Sequence, residues 1–260
     1  MIDRDAPEDG AIYPDLKRKV ALVTGGATGI GEAIASGLAA QGASVGIMDV
    51  AEEEGQALAA ALSSGGARVC FVRADVTDTP SLQARIGEVR DRLGPIDILV
   101  NNAANDDRHR IDSVTPEYWD RQIAVNLKHY FFAAQAVIPD MQDRGGGSIV
   151  NLSSISWKIG AGGMPVYVSA KAGIVGLSRA LARDLGVHRI RVNTVLPGWV
   201  MTERQQRLWV TPDDETEILK SQALKRFLVP SDVSAMVLFL ASNASSACTA
   251  QSYIVDGGWV

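Results

Sequence analysis

VALVTGGATGIG, Val20 to Gly31, runs from a strand through a glycine-rich turn into a helix. Val20–Thr24 is an apolar, β-branched run of strand character. Glycines after such a strand let the backbone turn tightly and approach a pyrophosphate, which then meets the amide-rich start of the next helix. The spacing Gly25, Gly29, Gly31 is a variant of the commoner G-x-G-x-x-G, and a glycine turn alone can be no more than a turn. Its place between a strand and a helix favours the phosphate reading, with Thr28 and Ile30 inside the turn.

Outward from that unit the chain alternates regularly. Further strand-like runs are Ser44–Asp49, Arg68–Asp75, Ile96–Asn101, Ser148–Leu152, Ile190–Leu196 and Ser252–Val255. Helix-like runs are Gly31–Gln41, Glu52–Leu62, Ser81–Leu93, Pro116–Asp143, Pro165–Leu185 and Ser231–Leu240. This order predicts an α/β, single-domain, Rossmann-like, doubly wound, seven-stranded parallel sheet with helices on both faces. Residues 1–16 read as a loose acidic arm anchored by Ile12 and Tyr13, and 17–260 as one catalytic domain. A polar helical insertion at about 201–227 breaks the rhythm, as a solvated excursion or a lid.

At 260 residues, 47% hydrophobic and 21% charged, the chain suits one globular domain. A net charge of -5 with no basic stripe argues against a nucleic-acid partner. No run is long and apolar enough for a membrane span, and no signal-peptide pattern opens the chain, so a cytoplasmic setting is expected. Cys70 and Cys248 lie in apolar stretches and read as core fillers. His109, His129 and His188 lack metal spacing, and no catalytic metal is expected.

The chemistry concentrates in Ser154, Tyr167 and Lys171. Tyr167 and Lys171 are four apart on a helix and share a face, while Ser154 follows a strand end. An ammonium about 4–5 Å from a phenol is worth roughly 3–4 kcal/mol at an effective dielectric near 20, enough to bring a phenolate into reach of neutral pH. Desolvation opposes that shift. Such a trio could take a proton from an alcohol, although a lone Tyr-x-x-x-Lys is common on ordinary surface helices.

Other candidates sit at strand ends. Asp49 would bind an adenosine ribose and repel a 2′-phosphate, favouring NAD, with a helix-capping role for the Glu52 run as the alternative. Asp75 and Val76 could meet adenine, and Asn102 and Ala103 would line the cofactor channel. Asn126 lies mid-helix, either tolerated there or holding a water that links Lys171 to solvent.

This constellation resembles the short-chain dehydrogenase/reductase family. Thr24–Gly31, Asp75, Asn101–Ala104, Asn126, Ser154, Tyr167, Lys171 and Pro197–Gly198 follow its pattern in order; Ala104 departs from it, replacing the usual Gly. The resemblance implies NAD as cofactor, Tyr167 as general base, Ser154 orienting the substrate hydroxyl, and Lys171 lowering the phenol's pKa and binding the nicotinamide ribose. It further implies that Asn126 completes a proton relay, that Pro197, Gly198, Val200 and Thr202 lie around the nicotinamide, and that the chain is a homotetramer.

A narrower resemblance, carried by NNAANDDRH (101–109), NLSSISW (151–157), TERQ (202–205) and DGGW (256–259), is to bacterial NAD-dependent aldose 1-dehydrogenases. It implies a small-molecule sugar substrate, D-xylose, D-galactose or L-arabinose, oxidised at C1 to the lactone. Asn105, Asp106, His109, Ser156, Trp157, Trp199 and Arg204 are then candidate sugar contacts, since a sugar site needs fixed polar groups and flat apolar faces. Solvated loop charges and packed indoles are the plainer account of the same residues. The rival functions are a ketone or 3-oxoacyl-thioester reductase and a non-catalytic dinucleotide sensor.

Overall fold

The computed structural model describes residues 10–260. Seven strands form one parallel sheet in the order β3-β2-β1-β4-β5-β6-β7, with β1 Val20–Thr24, β2 Ser44–Asp49, β3 Val69–Arg73, β4 Ile98–Asn101, β5 Gly147–Leu152, β6 Ile190–Pro197 and β7 Ser252–Val255. The chain steps outward from β1 to β3, then returns to place β4 against β1, in register Leu22 with Leu99. That reversal opens a crevice beyond the carboxyl ends of β1 and β4.

Both faces of the sheet are covered because its strands are apolar on both sides. Along β1, Ala21 and Val23 join one core with α1 (Gly29–Ala40), α2 (Glu52–Ser64) and α9 (Pro230–Ala241). Val20 and Leu22 join the other with α3 (Thr79–Leu93), α5 (His129–Asp143) and α6 (Pro165–Leu185). Alternation of side chains across a strand assigns successive residues to opposite cores.

The expected Pro116–Asp143 helix is divided. α4, Pro116–Ile123, passes through a π-helical turn at Ala124–Lys128 before α5 begins. Asn126 is in that turn and fully buried. A π turn widens the helix by one residue and re-aims what it carries, which a 3.6-residue pattern cannot reveal. β3 ends at Arg73, so Asp75 lies two residues past the strand. Its carboxylate accepts from the Thr77 backbone N–H and hydroxyl at 2.9 and 2.7 Å, and this local turn ends the strand early.

Most of the acidic arm, residues 1–9, lies outside the described residues. Tyr13 docks through its N–H to Gln41 at 2.7 Å and Leu16 is fully buried, but Ile12 is 81% exposed and anchors nothing. Cys70 and Cys248 are free and partly buried, each packed against the edge of one core. The 201–227 insertion folds into α7 (Glu203–Leu208) and α8 (Pro212–Ser221). Among the described residues no helix is long and apolar enough to cross a membrane, and no group of three or more His, Cys, Asp or Glu could hold a metal ion.

Candidate active site

The glycine turn is closed by tertiary contacts as well as by its sequence. Gly25 adopts φ +62°, a conformation that L side chains rarely take, and a Cβ there would lie 2.6 Å from the Ala103 Cα. A Cβ on Gly31 would lie 1.9 Å from the Gly25 carbonyl oxygen. Asn102 spans the crevice, donating to the carbonyls of Thr24 and Gly25 at 3.2 and 2.7 Å, while the Thr24 hydroxyl accepts from the N–H groups of Asn102 and Ala103. Gly29 presents its backbone beside the cavity wall at Thr202, and Thr28, the α1 N-cap, leaves its hydroxyl out of capping. Bare backbone at a helix start next to an open crevice fits a dinucleotide pyrophosphate.

Asp49 caps the end of β2. One carboxylate oxygen accepts from the Ala27 N–H at 3.0 Å and the other from the Ala51 N–H at 3.1 Å. It therefore braces the glycine turn and the entry to α2, and each oxygen retains a lone pair for a ribose hydroxyl. Arg73, which the sequence reading missed, stands in register beside Asp49 with its guanidinium 3.5 Å from Glu52. Its charge is thus opposed locally. Val76 is buried just past β3.

Beyond β5, β6 and the start of α6 lies a cavity of about 220 Å³. Ser154, Ser156, Tyr167, Asp106 and Trp199 form its walls, together with Ile30 of the glycine turn, Pro197, Gly198, Val200 and Thr202. Ser154 caps the short 3-10 turn Ile155–Trp157 by accepting from the Ser156 N–H at 3.0 Å. The Ser156 hydroxyl is buried without a partner, as is the Trp199 indole nitrogen. An unpaired buried donor at a cavity wall is costly unless a ligand satisfies it.

Four candidate sugar contacts are not in that wall. A 3-10 turn rotates successive side chains by a third of a turn; Ser156 lines the cavity while its neighbour Trp157 does not, and the Lys158 ammonium lies 5.1 Å from the Trp157 ring centroid. His109 ties three elements together: its N–H donates to the Gly163 carbonyl, Nε2 accepts from the Val166 N–H at 3.2 Å, and Nδ1 lies 2.9 Å from the Tyr118 hydroxyl. Arg204 reaches from α7 to Asp106 and Asp107 at 3.3 and 2.8 Å, latching the insertion to the loop after β4. Asn105 is held by its backbone. Its N–H donates to the Asn126 side-chain oxygen at 2.9 Å, and the Asn126 amide donates back to its carbonyl at 3.0 Å.

The second amide proton of Asn126 goes to Gln122 at 2.9 Å. Both protons are committed, so the side chain clamps the loop, while its oxygen accepts one N–H and keeps a second lone pair. Equally, Lys171 is not hydrogen-bonded to Tyr167. Its ammonium donates to the Tyr130 hydroxyl at 3.2 Å and the Leu152 carbonyl at 2.9 Å, lying 5.5 Å from the Tyr167 ring centroid.

Electrostatics follow from burial. Desolvation pushes the Tyr167 phenol above its ordinary pKa and Asp106 adds to that, while the Ser154 hydroxyl and then Arg108 act the other way. In the chain alone burial dominates, and the groups that lower the phenol's pKa are Ser154 and Arg108 rather than Lys171. Burial pulls Lys171 down to about 7, with Asp106 opposing. His129 is pulled down to about 3 by burial, with the Lys171 charge contributing; neutral, it donates from Nε2 to the Ala103 carbonyl at 3.0 Å.

Further residues complete the wall. Gln205 donates to Asp106 at 2.6 Å, Met164 precedes the first residue of α6, and Trp259 closes the cavity from the chain's end. Arg108 lies beside the Trp199 and Trp209 rings, 6.0 and 5.2 Å from their centroids. Gln205, Arg108 and Trp259 fall within the 202–205, 101–109 and 256–259 stretches that carry the resemblance, whereas nothing in the sequence marked Met164.

A family model described as enoyl-(acyl carrier protein) reductase matches residues 25–260. D-xylose 1-dehydrogenase of Caulobacter vibrioides is 47% identical over 249 residues, covering 96% of this chain and 98% of its own. A probable galactose dehydrogenase of Rhizobium meliloti is 47% identical over 247 residues, covering 95% and 96%. Among solved structures, a putative short-chain alcohol dehydrogenase from Sinorhizobium meliloti superposes with a TM-score of 0.90 at 34% identity, covering 95% of this chain and 98% of that one.

Proposed function

Because the chain belongs to the short-chain dehydrogenase/reductase family, we propose that it oxidises an aldose at C1 to the aldonolactone, with NAD as the electron acceptor. The observation that carries the reading is the meeting of Ser154 and Tyr167 in one cavity wall with Trp199 and Asp106. Relatives named as xylose and galactose dehydrogenases at 47% identity support the substrate class.

In this reading Ser154 holds the C1 hydroxyl oxygen and Tyr167 takes its proton, while the hydrogen on C1 leaves with its electron pair. Bound NAD supplies the hydride acceptor. Lys171 contributes the positive charge that favours phenolate, Asn126 keeps the loop after β4 against the π turn, and the lactone is opened later by water. The glycine turn, Asp49 and Asn102 would hold the dinucleotide, with Asp49 selecting against a 2′-phosphate. Trp199 would supply a flat apolar face for the sugar ring, and the unpaired Ser156 hydroxyl a donor or acceptor for its oxygens. A cytoplasmic setting belongs to the same reading, supported by two free thiols. So does a homotetramer, which would cover the exposed Trp119 and Phe131 of α4 and α5.

The description attached to the matching family model favours, as second reading, reduction of a carrier-bound thioester. Absorbance of NADH with each common pentose and hexose in turn separates the two. Formation of NADH with at least one aldose is expected. No NADH with any sugar, together with oxidation of a reduced dinucleotide by an enoyl or a 3-oxoacyl thioester, would replace the proposal by the second reading.

A further inference from the structure

Lys171 is 2% exposed, and among the described residues its ammonium has two hydrogen-bond acceptors, the Tyr130 hydroxyl and the Leu152 carbonyl. Tyr130 is fully buried on α5 and donates its own proton to that same carbonyl at 2.9 Å. The phenol oxygen is thereby left with its lone pairs facing Lys171. The ammonium lies 5.5 Å from the centroids of both the Tyr130 and the Tyr167 rings, so it is equally near two phenols, of which Tyr167 lines the cavity and Tyr130 does not.

We propose that Tyr130 is a positioning residue that keeps Lys171 charged and poised near both rings, ready to support a phenolate at Tyr167. The inference rests on the reading of Tyr167 as general base. Desolvation penalises a buried ammonium, and hydrogen bonds from a charged donor are the stronger kind that offset it. The titratable groups around Lys171 are few. α5 brings Tyr130 and the neutral His129, α6 brings Tyr167, the loop after β4 brings Asp106, and β5 brings only the Leu152 carbonyl. Asp106 supports the charge but is already engaged by Arg204 and Gln205. Among the described residues Tyr130 is the one side chain that accepts directly from the ammonium.

Tyr130→Phe keeps the ring and deletes that acceptor. In the unliganded protein with lysine labelled at 13Cε, the Lys171 NMR titration midpoint is expected to fall by about one pH unit, a tenfold change worth ~1.4 kcal/mol. In turnover, the rising limb of kcat against pH should move upward by a similar amount, with the KM for sugar within about twofold. A Lys171 midpoint equal to the parent's, with any rate loss uniform across pH, would overturn the proposal. If Tyr130→Phe does not fold, Tyr130→Met fills the space without an acceptor oxygen and is read in the same two ways. The underlying reading fails separately: an active Tyr167→Phe sinks it whatever Tyr130 does, whereas an inactive Tyr167→Phe with a silent Tyr130→Phe sinks only the role of Tyr130.

Discussion

Tyr167 illustrates how little a residue's chemistry follows from its neighbours in sequence. A lysine one turn away suggests an acidic phenol, yet burial and the Asp106 carboxylate push the phenol's pKa up, and the Lys171 ammonium bonds elsewhere. In the proposed reading bound ligands complete the base, and removing its hydroxyl should be decisive. Tyr167→Phe should lower kcat by at least ~100-fold, the usual scale of general-base catalysis, while dinucleotide affinity measured by calorimetry changes little. Turnover within tenfold of the parent would remove Tyr167 from the mechanism. At the other end of the crevice, Asp49→Ala should lower the ratio of kcat/KM for NAD over NADP by about tenfold or more, as a 1–2 kcal/mol discrimination requires. It should also loosen the glycine turn, since both carboxylate oxygens hold backbone N–H groups there. An unchanged ratio would restrict Asp49 to that bracing role.

At the scale of elements, two devices shape the cavity. The π turn between α4 and α5 buries Asn126 and lets it grip Asn105 by both backbone groups, which sets the path of the loop carrying Asp106 and Arg108. Across the opening, α7 is fastened to that loop by Arg204 and Gln205. Arg204 is half exposed, so its ion pairs contribute at most about 1 kcal/mol to global stability. Their effect belongs to the insertion. Arg204→Ala should leave the melting temperature within about 2 °C, a shift below ~1 kcal/mol for a domain of this size, yet speed limited proteolysis within 201–227 and raise the KM for sugar. Equal cleavage rates in parent and variant would show that the latch does not hold α7.

Across the whole molecule, the sheet brings together groups that the fold must tolerate as well as use. Lys171 titrates near 7 when folded because burial penalises its charge, well below an unfolded lysine. Between those values the unfolded chain binds the extra proton, so this residue's contribution to stability rises with pH, and its cost is fully present below the folded pKa. Lys171→Met should accordingly stabilise the protein by roughly 2 kcal/mol at pH 6 and by much less near pH 10, in chemical denaturation at both values. A gap that is equal at the two pH values would contradict this.

The sheet itself was legible: alternating apolar runs and helical periods gave all seven strands within a few residues, because strand apolarity and helix periodicity are local consequences of which faces are buried. The glycine turn was legible for the same reason, since Gly25 needs its φ locally. The cavity wall was legible in part, at Asp106, Ser154, Ser156, Tyr167 and Trp199. Asn105, His109, Trp157 and Arg204 carry suitable chemistry near strand ends, but their orientations were set by a π turn, a 3-10 turn and a latch from residues about a hundred positions away. Backbone pattern and burial period are written along the chain; the direction in which a side chain points, and the dielectric it meets there, arise only when separate segments pack and exclude water.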